Sequence, residues 1–521
     1  MSFVFFVVKS LRIRLLPAGH LNVNTKDYSV SFAIQNSVPV EQASPWTDRA
    51  IERGIFFLLI FTPLAFGTTQ DWSIAIMEIT AFLIFGVWLI KYRETPLMHK
   101  AQPRSKGLPA LLLVFCGAVL VGIVVLQIIP MPRDLLNLLS PKTTELYQTF
   151  LEGDLTSWRT ISTAPHASVS GIILFLSYAS VFIVVLQHYN TEEKIQGLFR
   201  LIIVIGCSLA VLAVLTRVFR NGNVMWIFPV RAGEKAMGPY INKNHFAGYM
   251  EMVIPIAMSY YLYTAGKMVL PSKEQNASRV QQALSFLDNR KFASLSQGMV
   301  AVLLLTGGLF MSLSRGGISG YAVSMAVFAW MVRSRRSLRK RAVFMALLGG
   351  VVAIAVIVAG WSMFEARLET SEQQGTMRIG TWTDAFSLAR NFPLFGTGWG
   401  TFEKIYPAYQ TAHPDLNFEH AENEYVEVLT DAGWIGLVAL LGTMASGCFI
   451  ILQRWRERHN TFVVSFTVGG ITAFSAIIVH SLLDFNMRVP ANALLMTVIL
   501  ALTWAILFKV PSRREQKAGL D

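Results

Sequence analysis

Apolar stretches close to the ~20 residues that cross a bilayer recur along the whole chain. They lie at 51–69, 73–90, 108–129, 169–187, 200–219, 244–265, 297–313, 317–332, 342–362, 433–452, 462–483 and 491–509. The expected architecture is an all-α polytopic membrane protein of about twelve transmembrane helices. Charged residues make up only 15% of the chain, against about 25% in soluble domains.

The net charge of +13, from 45 basic and 32 acidic residues, would suggest nucleic acid in a soluble protein. Here the location of the charge decides. Basic clusters sit at Lys91–Lys106, Lys267–Lys291, Arg333–Arg341, Arg454–Arg458 and Lys509–Lys517, which are alternate loops of the twelve-helix arrangement. One side collects them all, the cytoplasm by the positive-inside rule, and no nucleic-acid partner is called for. Both termini are then expected in the cytoplasm, and the loops 130–168, 220–243 and 363–432 outside. The expected domains are a cytoplasmic tail over 1–48, a membrane domain over 49–510 and a cytoplasmic tail over 511–521. The start "MSFVFFVVKSLRIRLL" places its apolar run before its basic residues, the reverse of a secretory signal. Cys116, Cys207 and Cys448 lie within apolar helices and offer neither a disulfide framework nor a metal-ligand spacing.

Basic residues on the outer face need a reason beyond topology. The loop "RVFRNGNVMWIFPVRAGEKAMGPYINKNHFAGYM" carries Arg217, Arg220, Arg231, Lys235 and Lys243 with a single carboxylate, Glu234. Arg315, in "FMSLSRGGISG", precedes a glycine pair that opens the next helix, whose free backbone N–H groups suit an anion. In the largest outer loop, the spacing of Ile379, Trp382, Ala385, Phe386 and Ala389 predicts a short amphipathic helix bearing Arg378. "NFPLFGTGWG" then breaks it; these glycines follow no strand and lack a P-loop lysine, so turn chemistry accounts for them better than nucleotide binding. "HAENE" lacks the second histidine of a metalloprotease helix, since Glu424 stands there, and no metal is expected. Glu422 and Glu424 complement a helix dipole, whereas His420, with an ordinary pKa near 6.5, can accept a proton. The last outer turn adds His480, Asp484, Asn486 and Arg488, which are either interface anchors or substrate contacts. Several arginines around one neutral histidine suit a reaction in which a diphosphate leaves and a hydroxyl attacks.

The ordered set "VRAGEKAMGPYINKNHFAGYM", "SLSRGG", "RIGTWTDAFSLARNFPLFGTGWGTF", "HAENEYVEVLTDAGWIGL" and "HSLLDFNMRVPANA" resembles the O-antigen ligase and polymerase superfamily of bacterial envelope glycosyltransferases, over about residues 200–500. The resemblance implies a C-type glycosyltransferase architecture with a large periplasmic loop, 363–432, between two late helices. It implies His420 as base on the acceptor, and Arg231 and Arg315, with Arg378, as holders of the donor diphosphate. Glu422, Asn423, Asp484 and Arg488 are further candidate substrate contacts. Family ligases often carry H-x-H-N or H-x-x-N; here Glu422 and Asn423 follow His420, which leaves the acceptor class open.

The reading that follows is metal-independent, cofactor-free glycosyl transfer at the periplasmic face of the bacterial inner membrane. The donor partner is an undecaprenyl-diphosphate-linked saccharide. The acceptor is a glycan or glycolipid, and a chain-length regulator is a candidate partner. The "HAENE" and "SLLDFNMRVPANA" segments look more like O-antigen or exopolysaccharide polymerases than ligases. Ligation of glycan to lipid A-core and protein O-glycosylation are the alternatives within the superfamily. A membrane transporter is the alternative outside it, and would place its polar residues at mid-membrane, where Glu78 and Glu251 are the exceptions in otherwise charge-free helices.

Overall fold

The computed structural model describes residues 45–94, 108–150, 158–219, 223–229, 236–268, 290–336, 338 and 371–510. In chain order the longer helices are α1 (Pro45–Leu64), α2 (Asp71–Glu94), α3 (Leu108–Ile128), α6 (Pro165–His188), α7 (Glu192–Val218), α8 (Lys243–Met268), α9 (Arg290–Ser312), α10 (Arg315–Arg333), α11 (Ser371–Asn391), α13 (Glu424–Glu457), α14 (Thr461–His480) and α15 (Pro490–Phe508). The short α4 (Arg133–Leu139), α5 (Pro141–Phe150) and α12 (Phe402–Ile405) lie in connections, as does a two-stranded hairpin pairing Asn223–Val224 with Phe228–Pro229. Local chemistry sets several of the starts. The Thr191, Ser314, Asn423 and Asn460 side chains cap α7, α10, α13 and α14, and Pro165 and Pro490 open α6 and α15, where a missing N–H costs nothing.

The expected all-α membrane architecture holds, but twelve spans are not established. Every expected segment coincides with a helix except 342–362, which lies outside the described residues. Among the described residues seven helices, α2, α3, α6, α7, α13, α14 and α15, are long and apolar enough to cross a membrane. The others fall short for visible reasons. α1 begins with Asp48, Arg49, Glu52 and Arg53, and α10 carries an arginine at each end. In α9 the apolar stretch among the described residues is Ser296–Ser312. α8 can be polar because it is the centre of the bundle. It packs on α7, α9, α10 and α14, and Phe246 through Ala257 are buried throughout. Outer helices present the opposite face: Leu111, Val114 and Phe115 of α3 are all more than 60% exposed, an apolar surface that only lipid would cover.

The bundle has two chemically different ends. At one, Lys91 and Lys194 pair with Asp48 (2.5 and 3.2 Å), Arg454 and Arg456 lie in the last turn of α13, and Arg335 and Arg458 follow the ends of α10 and α13. At the other meet the ends of α3, α8, α10, α13, α14 and α15, tied by Lys243 Nζ to the Leu313 carbonyl (3.0 Å), Asn492 Nδ2 to the His245 carbonyl (2.9 Å) and the Glu424 N–H to the Ser481 carbonyl (2.9 Å). His420 belongs to this second end.

Candidate active site

The site begins with a break in a helix. At Gly433 the backbone of α13 takes φ 67° and ψ −172°, a conformation open essentially to glycine alone. Backbone carbonyls and N–H groups freed there need partners, and the "NFPLFGTGWG" turn supplies them. Thr397 N–H donates to the Thr430 carbonyl (2.9 Å), Gly398 N–H to the Asp431 carbonyl (3.1 Å), and Trp434 N–H to the Pro393 carbonyl (2.8 Å). Gln127, at the end of α3, donates to both the Phe395 and Asp431 carbonyls (2.6 and 2.7 Å) and accepts from the Trp399 N–H (2.9 Å). The turn's glycines are there for fit: Gly396 has φ 70°, and a Cβ on it would lie 2.4 Å from Asp431 backbone. This is the turn chemistry expected for the segment.

The stub of α13 before the break carries Glu424, Glu427 and Asp431 at i, i+3 and i+7, one face of a helix. All three are buried, and one cation answers them. Arg488 lies 2.8 Å from Asp431, 3.3 Å from Glu424 and 3.5 Å from Glu427, with its guanidinium 4.6 Å from the Trp399 ring centroid. The residue expected as an interface anchor or substrate contact thus holds the counter-charge of a buried carboxylate cluster, which three neighbouring negative charges could not form without it.

His420 is fixed by this cluster. Its Nδ1 is 2.8 Å from Glu427 Oε1, while Glu427 Oε2 accepts the Ala421 N–H at 3.1 Å. The imidazole stacks on Phe485 with centroids 4.1 Å apart and keeps 28% of its side chain exposed against 2% for Glu427. Among the described residues no hydrogen bond to Nε2 is made. Burial alone would lower the His420 pKa; the Glu427 carboxylate outweighs it and raises the pKa above the usual 6.5. An imidazole anchored at Nδ1 to a carboxylate, with Nε2 outward, is arranged to take a proton.

Arg378 lies on α11, as expected, and pairs with Glu422 at 3.0 Å. Trp382, one turn on, donates to the Ala421 carbonyl (2.9 Å), so α11 holds the two residues that follow the histidine, Ala421 and Glu422. Glu422 has φ 54°. Burial and Asp484 raise its carboxyl pKa, against Arg378. Asn423 is the helix cap, accepting from the Tyr425 and Val426 N–H groups (3.0 and 3.2 Å) and donating to the Leu482 carbonyl (2.9 Å). Asp484 is buried 3.6 Å from His245 Nε2. Burial would raise its pKa, yet His245 and His480 hold it well below the carboxylate range. His245 also meets Phe485, edge-on, 4.8 Å between centroids. His480 pairs with Glu251 at 2.9 Å, both fully buried, beneath α10, where a Cβ on Gly316 would lie 2.4 Å from the His480 ring and one on Gly320 2.5 Å from Glu251. Arg315, the first residue of α10, is exposed. Arg231, with Arg220 and Lys235, lies outside the described residues.

Glu424, as a partner of Arg488, and Glu427, Asp431, Trp399, Phe485, Gln127 and His245 were not singled out by sequence as members of the site. The i, i+3, i+7 carboxylates were a readable signal, because a run of acids on one helical face at a membrane boundary needs a counter-charge. Among the described residues no group of three or more His, Cys, Asp or Glu is arranged to hold a metal ion.

No curated protein matches the chain. Residues 300–441 match the family model described as O-antigen ligase. The matched segment runs from within α9 to the first half of α13 and contains Arg315, Arg378, His420, Glu424, Glu427 and Asp431, while His245, His480, Asp484 and Arg488 lie outside it. The match supports the O-antigen ligase and polymerase superfamily and a glycosyltransferase type of activity.

Proposed function

We propose, with the O-antigen ligase domain at 300–441 as premise, that this membrane protein transfers a saccharide from undecaprenyl diphosphate to an acceptor hydroxyl at the outer face of the inner membrane. His420 Nε2 takes the proton of the acceptor hydroxyl as its oxygen bonds to the anomeric carbon. The bond from that carbon to the diphosphate oxygen breaks, and the lipid diphosphate leaves with the electron pair. Arg315 and Arg231, with Arg378, neutralise the charge that develops on the leaving group. The observation that carries this reading is the His420–Glu427 pair, a base oriented at one nitrogen and open at the other. The basic end of the bundle then faces the cytoplasm, with both termini on that side.

The acceptor is proposed to be a second lipid-linked saccharide, making the protein an O-antigen or exopolysaccharide polymerase; the character of "HAENE" and "SLLDFNMRVPANA" supports this over ligation to lipid A-core or transfer to protein. Complementation tests it, in one strain lacking its polymerase and one lacking its ligase, beside His420→Ala. Longer chains only in the first strain establish polymerisation, and glycan on lipid A-core in the second establishes ligation. The expected loss for His420→Ala is about 10²- to 10⁴-fold; near-parental product from that variant would remove the base from the mechanism.

A further inference from the structure

At the end of the bundle opposite His420, the last turns of α10 and α13 and the residues just after α10 line a cavity of ≈ 280 Å³ formed by Trp330, Ser334, Arg335, Trp455 and Arg456. Topology alone accounts for basic residues at this end. It does not account for two guanidiniums and two indoles converging on one concavity. Arg335 is held in place: its guanidinium lies 4.5 Å from the Trp455 ring centroid and donates to the Trp455 carbonyl at 2.5 Å. Trp455 is itself buried and anchored through Nε1 to the Val464 carbonyl (3.2 Å).

Arg456 shares the lining, and among the described residues no carboxylate does. Glu457, next in sequence, is turned to Arg454 at 2.8 Å. Burial, and then the charge of Arg456, lower the Arg335 pKa. Trp330, on the last turns of α10, is half exposed, as indoles at a membrane–water boundary are. Guanidinium forks match phosphate oxygens in pairs, and an anion between Arg335 and Arg456 would relieve their mutual repulsion.

We propose that this cavity binds a phosphate group between Arg335 and Arg456, presented by an anionic lipid of the leaflet at this end of the bundle. The site is independent of the chemistry at His420. Thermal unfolding of the purified full-length protein in detergent tests it, with phosphatidylglycerol, phosphatidylcholine or inorganic phosphate added. Phosphatidylglycerol is expected to raise the Tm with saturation and to lose effect at high salt, and phosphatidylcholine to do little. Arg456→Gln, at an exposed position, should fold normally and weaken the phosphatidylglycerol response about fivefold; Arg335→Gln should weaken it further. Equal shifts with both lipids, or an Arg456→Gln protein that responds like the parent, would overturn the site. An equal shift with inorganic phosphate would overturn the lipid as its source.

Discussion

Glu427→Gln isolates the contribution of one carboxylate to the proposed base. The side chain keeps its shape but loses its charge, and its three partners are all donors: His420 Nδ1 at 2.8 Å, the Ala421 N–H at 3.1 Å and Arg488 Nε at 3.5 Å. A single amide oxygen cannot serve both the ring and the Ala421 N–H, and the amide NH₂ must then face a donor. A charge-assisted hydrogen bond contributes about 1.5–3 kcal/mol, so if it is fully expressed in the transition state the rate should fall about 10- to 150-fold. The fold should survive, because Arg488 keeps Glu424 and Asp431.

The pH profile gives the sharper readout. Glu427 favours the protonated ring and raises the His420 pKa against the effect of burial. The acid limb of kcat/KM, which reports the base in the free enzyme, should therefore lie above pH 6.5 in the parent and move to lower pH in Glu427→Gln. Because Glu427 acts through His420, adding Glu427→Gln to His420→Ala should cost almost nothing more. Turnover of a lipid-linked saccharide by purified protein, with product resolved on a gel across pH, measures all three. A folded Glu427→Gln protein with parental rate and an unmoved acid limb would refute the pairing as part of the mechanism.

Arg488→Leu should be much more damaging to the fold than most single changes, by about 3–5 kcal/mol, because it leaves the buried carboxylates of Glu424, Glu427 and Asp431 without their cation; thermal unfolding in detergent checks it, and a loss below 1 kcal/mol would mean that the cluster is held by something else. Gly433→Ala must place a Cβ 2.3 Å from the Leu394 carbonyl oxygen at a backbone angle that only glycine accepts easily, so a cost of at least about 1–3 kcal/mol is expected, with activity falling too as the turn shifts from Asp431; a protein with parental Tm and turnover would show that the break is dispensable.

The membrane character, the segregation of charge and the position of His420 at a helix boundary were legible because each follows from composition read along the chain. The glycine-rich segment was legible as a turn, but not what it turns around. A lone glycine in an apolar run such as "DAGWIGL" normally sits inside a continuous helix, so nothing local marks Gly433 as a break, and the caps for Thr430 and Asp431 come from residues some thirty positions earlier and from Gln127 on a distant helix. Reading Glu424 as a dipole partner hid its spacing with Glu427 and Asp431. The number of spans is not established, and what the sequence did not show is that α8 and α10 bury polar faces inside the bundle, α8 through Glu251 paired with His480 and α10 through Gly316 and Gly320 packed on both.

The distance along the chain between the cluster's charges also governs how the protein is made. Arg488 follows Asp431 by 57 residues and Glu424 by 64, with the whole of α14 between them. A nascent chain delivered to the membrane from its N-terminus has therefore placed three carboxylates and the histidine long before their cation emerges. Until then those carboxylates lack the cation that answers them in the folded chain. The charge balance of the site is complete only once the turn between α14 and α15, which carries Arg488, has been added.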